Sequence, residues 1–250
     1  MRFTAKIVDN PSLSKPEGSI RLMCMSDSHG NHSNIPKEQI FPADIFIQAG
    51  DFTICGISEH VDSFRDWVLS LPCKHKVVVA GNLDLSFDSD RLEHFRPRIE
   101  KYTTSKVPYN EIKQRFMVPG ITYLEHQSIE IEGIKIFGSP YSPDFQDWGF
   151  PIMPGDNDKF WENVPNDTDV FVAHGPPKDI CDAALSGFHC GCPGMVKCLD
   201  RVHPALCVFG HIHEAHGHQM YGNTLCANVS VVDFNRTVVH PPFYVDLVPN

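Results

Sequence analysis

Basic charge is scarce in this chain: 21 lysines and arginines stand against 31 aspartates and glutamates, a formal net charge of −10. A nonspecific polyanion binder would present a basic stripe, so no polymeric nucleic-acid partner is expected. Also missing is any apolar run near the roughly 18 residues that a membrane span requires, so no membrane partner is expected either. Residues 1–10 lack the long apolar core of a secretory signal, which points to a soluble, cytoplasmic protein. The nine cysteines are then expected to be reduced. They do not form the regularly spaced pairs of a structural zinc site, Cys190-Gly191-Cys192 being the one close pair. They read as buried or loop thiols.

What is present suffices for a sizeable core, since 42% of the 250 residues are hydrophobic. No internal repeat or Gly/Ser-rich linker divides the chain, which predicts a single domain over residues 1–250. Residues 1–19, with Pro11, Pro16 and Gly18, read as an irregular N-terminal arm on the surface. Apolar runs predict strands at 20–25, 44–49, 76–80, 121–124, 169–173 and 205–209. A hairpin is expected from 128–131 and 134–137 around Glu132-Gly133. Val61, Phe64, Trp67, Val68 and Leu71 recur at helical spacing over 59–71, and a second short helix covers 195–202. Residues 91–118 are charged and proline-punctuated, and read as an inserted cap or lid. The regions 220–231 and 237–248 are β-rich. Strands alternating with helices, then β-rich segments, suggest an α/β fold: a two-sheet β-sandwich flanked by helices.

Five strands run out into polar clusters. Residues 20–25 lead to Asp27 and His29, 44–49 to Asp51, 76–80 to Asn82, 169–173 to His174, and 205–209 to His211 and His213. On an extended chain, residues two apart point the same way, so His211 and His213 leave their strand side by side. One such ending is common; five are hard to read as packing. Catalytic groups collect where α/β strands pass into loops, because strands fix position. Mixed nitrogen and oxygen ligands suit manganese, iron or zinc better than calcium. The expected arrangement is two divalent or trivalent ions roughly 3.5–4 Å apart sharing one carboxylate, with manganese favoured in vitro. Such a pair makes water nucleophilic and absorbs charge on a phosphoryl group, although two-metal carbonyl hydrolysis uses similar ligands.

Asp27-x-His29, Gly50-Asp51, Gly81-Asn82-x-Asp84, His174 and Gly210-His211-x-His213 resemble, in order, the signature of the calcineurin-like metallophosphoesterases. Ala49-Gly50-Asp51-Phe52-Thr53, Trp148-Gly149-Phe150, His174-Gly175-Pro176-Pro177 and Gly210-His211-Ile212-His213-Glu214 resemble its metallophosphoesterase-domain-containing branch, similar to class III cyclic nucleotide phosphodiesterases. The resemblance implies the same sandwich fold, with one metal on Asp27, His29, Asp51 and His213. It implies a second on Asp51, Asn82, His174 and His211, Asp51 bridging. Family members hydrolyse phosphomonoesters and phosphodiesters, nucleotides and cyclic nucleotides included, so a small phosphoester or nucleotide is the implied substrate.

Leu83 departs from the pattern, which is Gly-Asn-His followed by an acid. The family's histidine at that place protonates the leaving oxygen or stabilises the transition state, and leucine can do neither. Losing a positioned acid costs on the order of 10²–10⁴ in rate, about 3–5 kcal/mol. The catalytic positions are thus Asp51, Asn82 and the altered Leu83, with Asn82 and His174 also reaching substrate. His32, His216 and His218 are stand-ins for the missing histidine only if they are not ordinary surface residues. Trp148, Phe150 and Tyr141 either stack a nucleobase or pack on the sandwich rim. Arg91, Arg96, Arg98 and Lys101 form either a phosphate-attracting face or a solvated one. Two readings follow: a slow metal-dependent phosphodiesterase, and a catalytically quiet nucleotide binder or adaptor on the same scaffold.

Overall fold

The computed structural model describes residues 2–250, the side chain of Asp158 excepted. In chain order the first half runs β1 (Phe3–Ile7), β2 (Ile20–Met25), β3 (Ala43–Ala49), α1 (Ser58–Ser70), β4 (Cys73–Val79), α2 (Leu92–Tyr102), α3 (Ile112–Phe116) and β5 (Thr122–Tyr123). The second half runs β6 (Gln127–Ile131), β7 (Ile134–Ser139), β8 (Ser142–Pro143), β9 (Pro151–Ile152), α4 (Asn157–Phe160), β10 (Val170–Ala173), α5 (Pro193–Val202), β11 (Leu206–Phe209), β12 (Gly217–Tyr221), β13 (Thr224–Asn228) and β14 (Phe243–Pro249). Two six-stranded sheets result, in the orders β1-β14-β2-β3-β4-β5 and β12-β13-β11-β10-β7-β6.

Period-two alternation sets the layers, because successive strand side chains face opposite ways. Leu22 and Cys24 of β2 face Val170 and Val172 of β10 in a core between the sheets. Met23 and Met25 face the other way, onto α1, α2 and α3. On the second sheet Phe171, Cys207 and Phe209 pack against Met195 and Leu199 of α5. The layers are therefore helix, sheet, sheet, helix. Phe52, Phe64 and Phe116 stack in the first outer layer, with Phe52 and Phe64 centroids 4.6 Å apart. Each such ring contributes about 1.5–3 kcal/mol by burial.

The strands and helices stand close to their expected bounds, with three differences. Phe3–Ile7, expected to be irregular, is an edge strand antiparallel to β14, and Phe3 and Ala5 pack on the inter-sheet core. The last strand starts only at Phe243, since Pro241 and Pro242 have no N–H for the ladder. Residues 91–118 fold as outer-layer helices whose Phe95, Ile99, Ile112 and Phe116 are buried beside α1, rather than as a cap. Hydrophobic spacing within a charged segment drives that packing. Among the described residues no helix is long and apolar enough to cross a membrane.

Candidate metal centre

The five ligand-bearing loops meet at one end of the sandwich because their strands run in register and in parallel. β2, β3 and β4 are parallel neighbours in one sheet, β10 and β11 in the other. Ladder bonding continues beyond the strands and joins the sheets: Ser26 N donates to Val229 O and Val231 N to Ser26 O, both at 3.0 Å. Asp27 N donates to Gly50 O (2.9 Å) and His29 N to Asp51 O (3.0 Å). Asp27, His29, Asp51 and His211 are left-handed, with φ of 58°, 45°, 50° and 69°. Each such non-glycine residue costs about 1–2 kcal/mol, strain that clusters where side-chain placement serves function. The preceding glycines have a steric cause. A Cβ on Gly50 would stand 2.3 Å from His174 Nδ1, on Gly81 2.3 Å from Asp51 Oδ1, and on Gly210 2.1 Å from Asp27 Oδ2.

Asp27, His29 and His213 bring ligand atoms within 4.8 Å of one another, and so do Asp27, Asp51 and His174. His29 Nδ1–H faces Thr53 O at 3.4 Å and His213 Nδ1–H faces Asp233 O at 3.2 Å. Their Nε2 atoms then face each other at 3.0 Å, with room for at most one proton between them. Asp27 Oδ1 is buried without a hydrogen-bond partner, 3.5 Å from His213 Nε2. Three acceptors turned on one point call for a cation. On the other side His174 Nδ1–H donates to Ala49 O (3.0 Å), and Nε2 meets the Asn82 amide at 2.8 Å and Asp51 Oδ1 at 3.5 Å. His211 N donates to Asp27 Oδ2 (3.0 Å), its ring edge-on to His174 at 4.9 Å.

Electrostatics agree with this donor set. Burial pushes His29 and His211 down to about 3, so both imidazoles are neutral and able to ligate. Burial, then the charge of Asp27, drives Asp51 well above the usual carboxylate range. Burial would raise Asp27 too, but His213, His174 and His29 hold it below that range. His213 is the counterpart: burial lowers it, Asp27 more than offsets this, and it is raised. A proton on His213 answers the acceptors when nothing else does, and metal binding releases such protons.

A family model described as Calcineurin-like phosphoesterase matches residues 20–215. This chain belongs to that family. Human Metallophosphoesterase domain-containing protein 1 is 34% identical over 244 residues, covering 93% of this chain and 72% of its own length. UPF0046 protein K07C11.7 of Caenorhabditis elegans is 32% identical over 231 residues, covering 90% of this chain and 75% of its own. One solved crystal structure superposes with a TM-score of 0.61 at 16% identity, over 87% of this chain and 92% of that one. TT1561 of Thermus thermophilus gives 0.50 at 13% identity, over 84% and 88%. These two show the shared fold alone. The family uses a dinuclear metal centre, and this chain gathers clusters of side chains able to hold metal ions.

The seven expected ligands, Asp27, His29, Asp51, Asn82, His174, His211 and His213, stand together at this one end. Leu83 is there as well: it is 4% exposed, and its N–H donates to Asp51 Oδ1 at 2.7 Å. Asp84, the acid that follows Leu83, is fully buried. It accepts from Thr53 N (2.9 Å), Thr53 Oγ1 (2.7 Å) and Gly81 N (2.8 Å), which staples two ligand loops. Burial, then Asp51, push it up to about 8.

The substrate-facing aromatics need correction. Phe150 is 2% exposed in the first core, and Trp148 lies against the Arg98 guanidinium, 4.5 Å from the ring centroid. Phe150 is held in the core and offers no free face, whereas Trp148 is half-buried with the Arg98 guanidinium on its ring. The cleft of about 950 Å³ beside His211 and His213 is walled instead by Phe145, Phe188, Phe234 and Arg236. Those four stand in irregular polar loops, where no periodicity tells which way a side chain points; an apolar ring in a charged loop is the one signal. None of residues 91–118 lines this cleft. Arg91 is bonded to Asp147 and Arg96 to Glu100. His32 bonds Ser63, His216 stacks on His240 and His218 lies by Phe243.

Proposed function

We propose that this chain is a metal-dependent phosphodiesterase of small nucleotide or cyclic nucleotide substrates, slowed by Leu83. The observation that carries the reading is His29 Nε2 facing His213 Nε2 at 3.0 Å beside the unpartnered Asp27 Oδ1. Asp27, His29, Asp51 and His213 would hold one ion, and Asp51, Asn82, His174 and His211 the other, as mixed donor sets suited to manganese, iron or zinc. When bound, the ions supply Lewis acidity toward water and toward the phosphoryl oxygens.

The protein's own groups do the orienting. Carbonyls of Thr53, Ala49 and Asp233 fix the Nδ1 protons of His29, His174 and His213, so each Nε2 keeps its lone pair. Leu83 N–H holds Asp51 in place, but the Leu83 side chain gives no proton to a departing alkoxide. A ribose hydroxyl needs that proton and a nitrophenolate does not, so the deficit falls on nucleotide diesters. The net charge of −10 supports a small phosphoester substrate over a polymeric one.

The test is phosphodiesterase turnover by metal-free protein titrated with manganese, over a panel of nucleotide mono- and diesters, with Asp51→Asn alongside. Manganese-dependent diester turnover lost in Asp51→Asn is the expected result; activity that survives there contradicts the reading. Leu83→His should raise nucleotide-diester turnover on the order of 10²–10⁴-fold and nitrophenyl esters much less. Equal gains on both would remove the general-acid explanation. Leu83 also favours a second reading, a quiet nucleotide binder or adaptor. Tight mononucleotide binding with negligible turnover would select it.

A further inference from the structure

Nine arginines occur in the chain. Eight place the guanidinium on a carboxylate or a carbonyl oxygen, as Arg21 does with Asp246, Arg91 with Asp147 and Arg201 with Val164. Among the described residues Arg236 is the one with no such bond. It is also the one lysine or arginine in the wall of the cleft that His211 and His213 share. In a chain of net charge −10, an unpaired cation beside a metal centre is the feature left unexplained.

The backbone fixes where that cation stands. Asp233 N donates to Thr237 O and Arg236 N to Asp233 O, both at 2.9 Å, which closes a tight turn beyond the Val232–Val238 bridge. The turn is anchored on the metal centre from two sides. His213 Nδ1–H faces Asp233 O at 3.2 Å, and Asn31 Nδ2 donates to Arg236 O at 3.4 Å. Arg236 has φ 61°, a conformation that glycine adopts at less cost, so the turn itself does not require arginine.

We propose that Arg236 is the phosphate-binding residue of this site. Its guanidinium takes non-reacting phosphoryl oxygens of an ester in the cleft, restoring from the turn the positive charge that Leu83 no longer brings from the loop after β4. The planar fork matches a phosphoryl group bidentately. Arginine does not give up a proton near neutral pH, so it replaces the missing charge and not the missing acid. This rests on the phosphoesterase reading above.

The test compares the manganese-loaded parent with Arg236→Gly and Arg236→Lys. The readouts are calorimetric affinity for inorganic phosphate, KM and kcat for bis(nitrophenyl) phosphate, manganese content and melting temperature. For Arg236→Gly, phosphate affinity should fall about 10–100-fold and KM should rise in step. Its manganese content should be unchanged and its melting temperature unchanged or higher, while Arg236→Lys recovers part of the affinity. Phosphate affinity and KM both within twofold of the parent would overturn the proposal, and so would a loss of phosphate binding that follows a loss of manganese. A parent that binds phosphate through Arg236 without turnover sinks the hydrolase reading alone. A parent that neither binds phosphate nor turns over sinks both.

Discussion

The half of the centre around His174 and the half around His213 hold similar side chains by opposite means. His174 is fully buried, its ring wedged where Gly50 and Gly81 leave room, and Asp84 staples the loops beside it. The His213 side chain is 14% exposed, stands in a short turn, and is fixed by a carbonyl of another exposed turn. Burial and close packing fix the first half. A few local hydrogen bonds fix the second. Stability should therefore reside in the His174 half, and access to ligand in the His213 half.

Asp84→Ala should show the contrast most strongly. It strips three buried donors of their acceptor and should cost about 3 kcal/mol in urea unfolding, with Asp84→Asn costing about 1. A neutral Asp84→Ala would mean the staple holds nothing. Gly81→Ala should follow at about 2 kcal/mol, since its Cβ would stand 2.3 Å from Asp51 Oδ1. Elemental analysis should show manganese lost with it; two ions retained per chain would show that the buried half can yield. In metal-free protein, His174→Ala should cost about 2 kcal/mol and His213→Ala less than about 1. Equal costs would erase the difference between the halves.

The smallest effect lies outside the centre and serves as its control. Glu59, at the start of α1, accepts from Thr103 Oγ1 (2.8 Å), Thr104 N (2.6 Å) and Ser105 N (2.9 Å) just beyond α2. Burial alone would raise its pKa, but these donors outweigh it and bring it from 4.5 to about 2. A depressed carboxylate adds stability above its unfolded pKa and loses it as pH falls through the folded one. Acid unfolding of Glu59→Gln should lack about 1 kcal/mol of the parent's decline between pH 4.5 and 2, with manganese content unaltered. A shift in manganese content would tie this contact to the centre.

Much of this was legible in the sequence, and for a physical reason. The apolar runs 20–25, 44–49, 169–173 and 205–209 are buried on both faces, as parallel strands between layers must be, and parallel strands deliver their ends to one place. Asp27, His29, Asp51, His174, His211 and His213 could be found from that alone. Phe3–Ile7 was not legible, because five residues with two apolar anchors carry too little periodicity to oppose the prolines that follow. Phe150 and Arg236 were not legible either. Whether a loop side chain turns into the core or toward a cleft depends on what the rest of the chain places beside it, which no local pattern records. Asp84 shows the same limit, since its three donors come from Thr53 and Gly81 and exist only once the loops meet.

The most direct measurement is anomalous X-ray scattering from crystals of this protein grown with manganese. Two peaks per chain are predicted, one against His29 and His213 and the other against His174 and Asn82, with Asp51 between them. No peak at these side chains, with their nitrogens and oxygens satisfied by protein hydrogen bonds alone, would contradict the account.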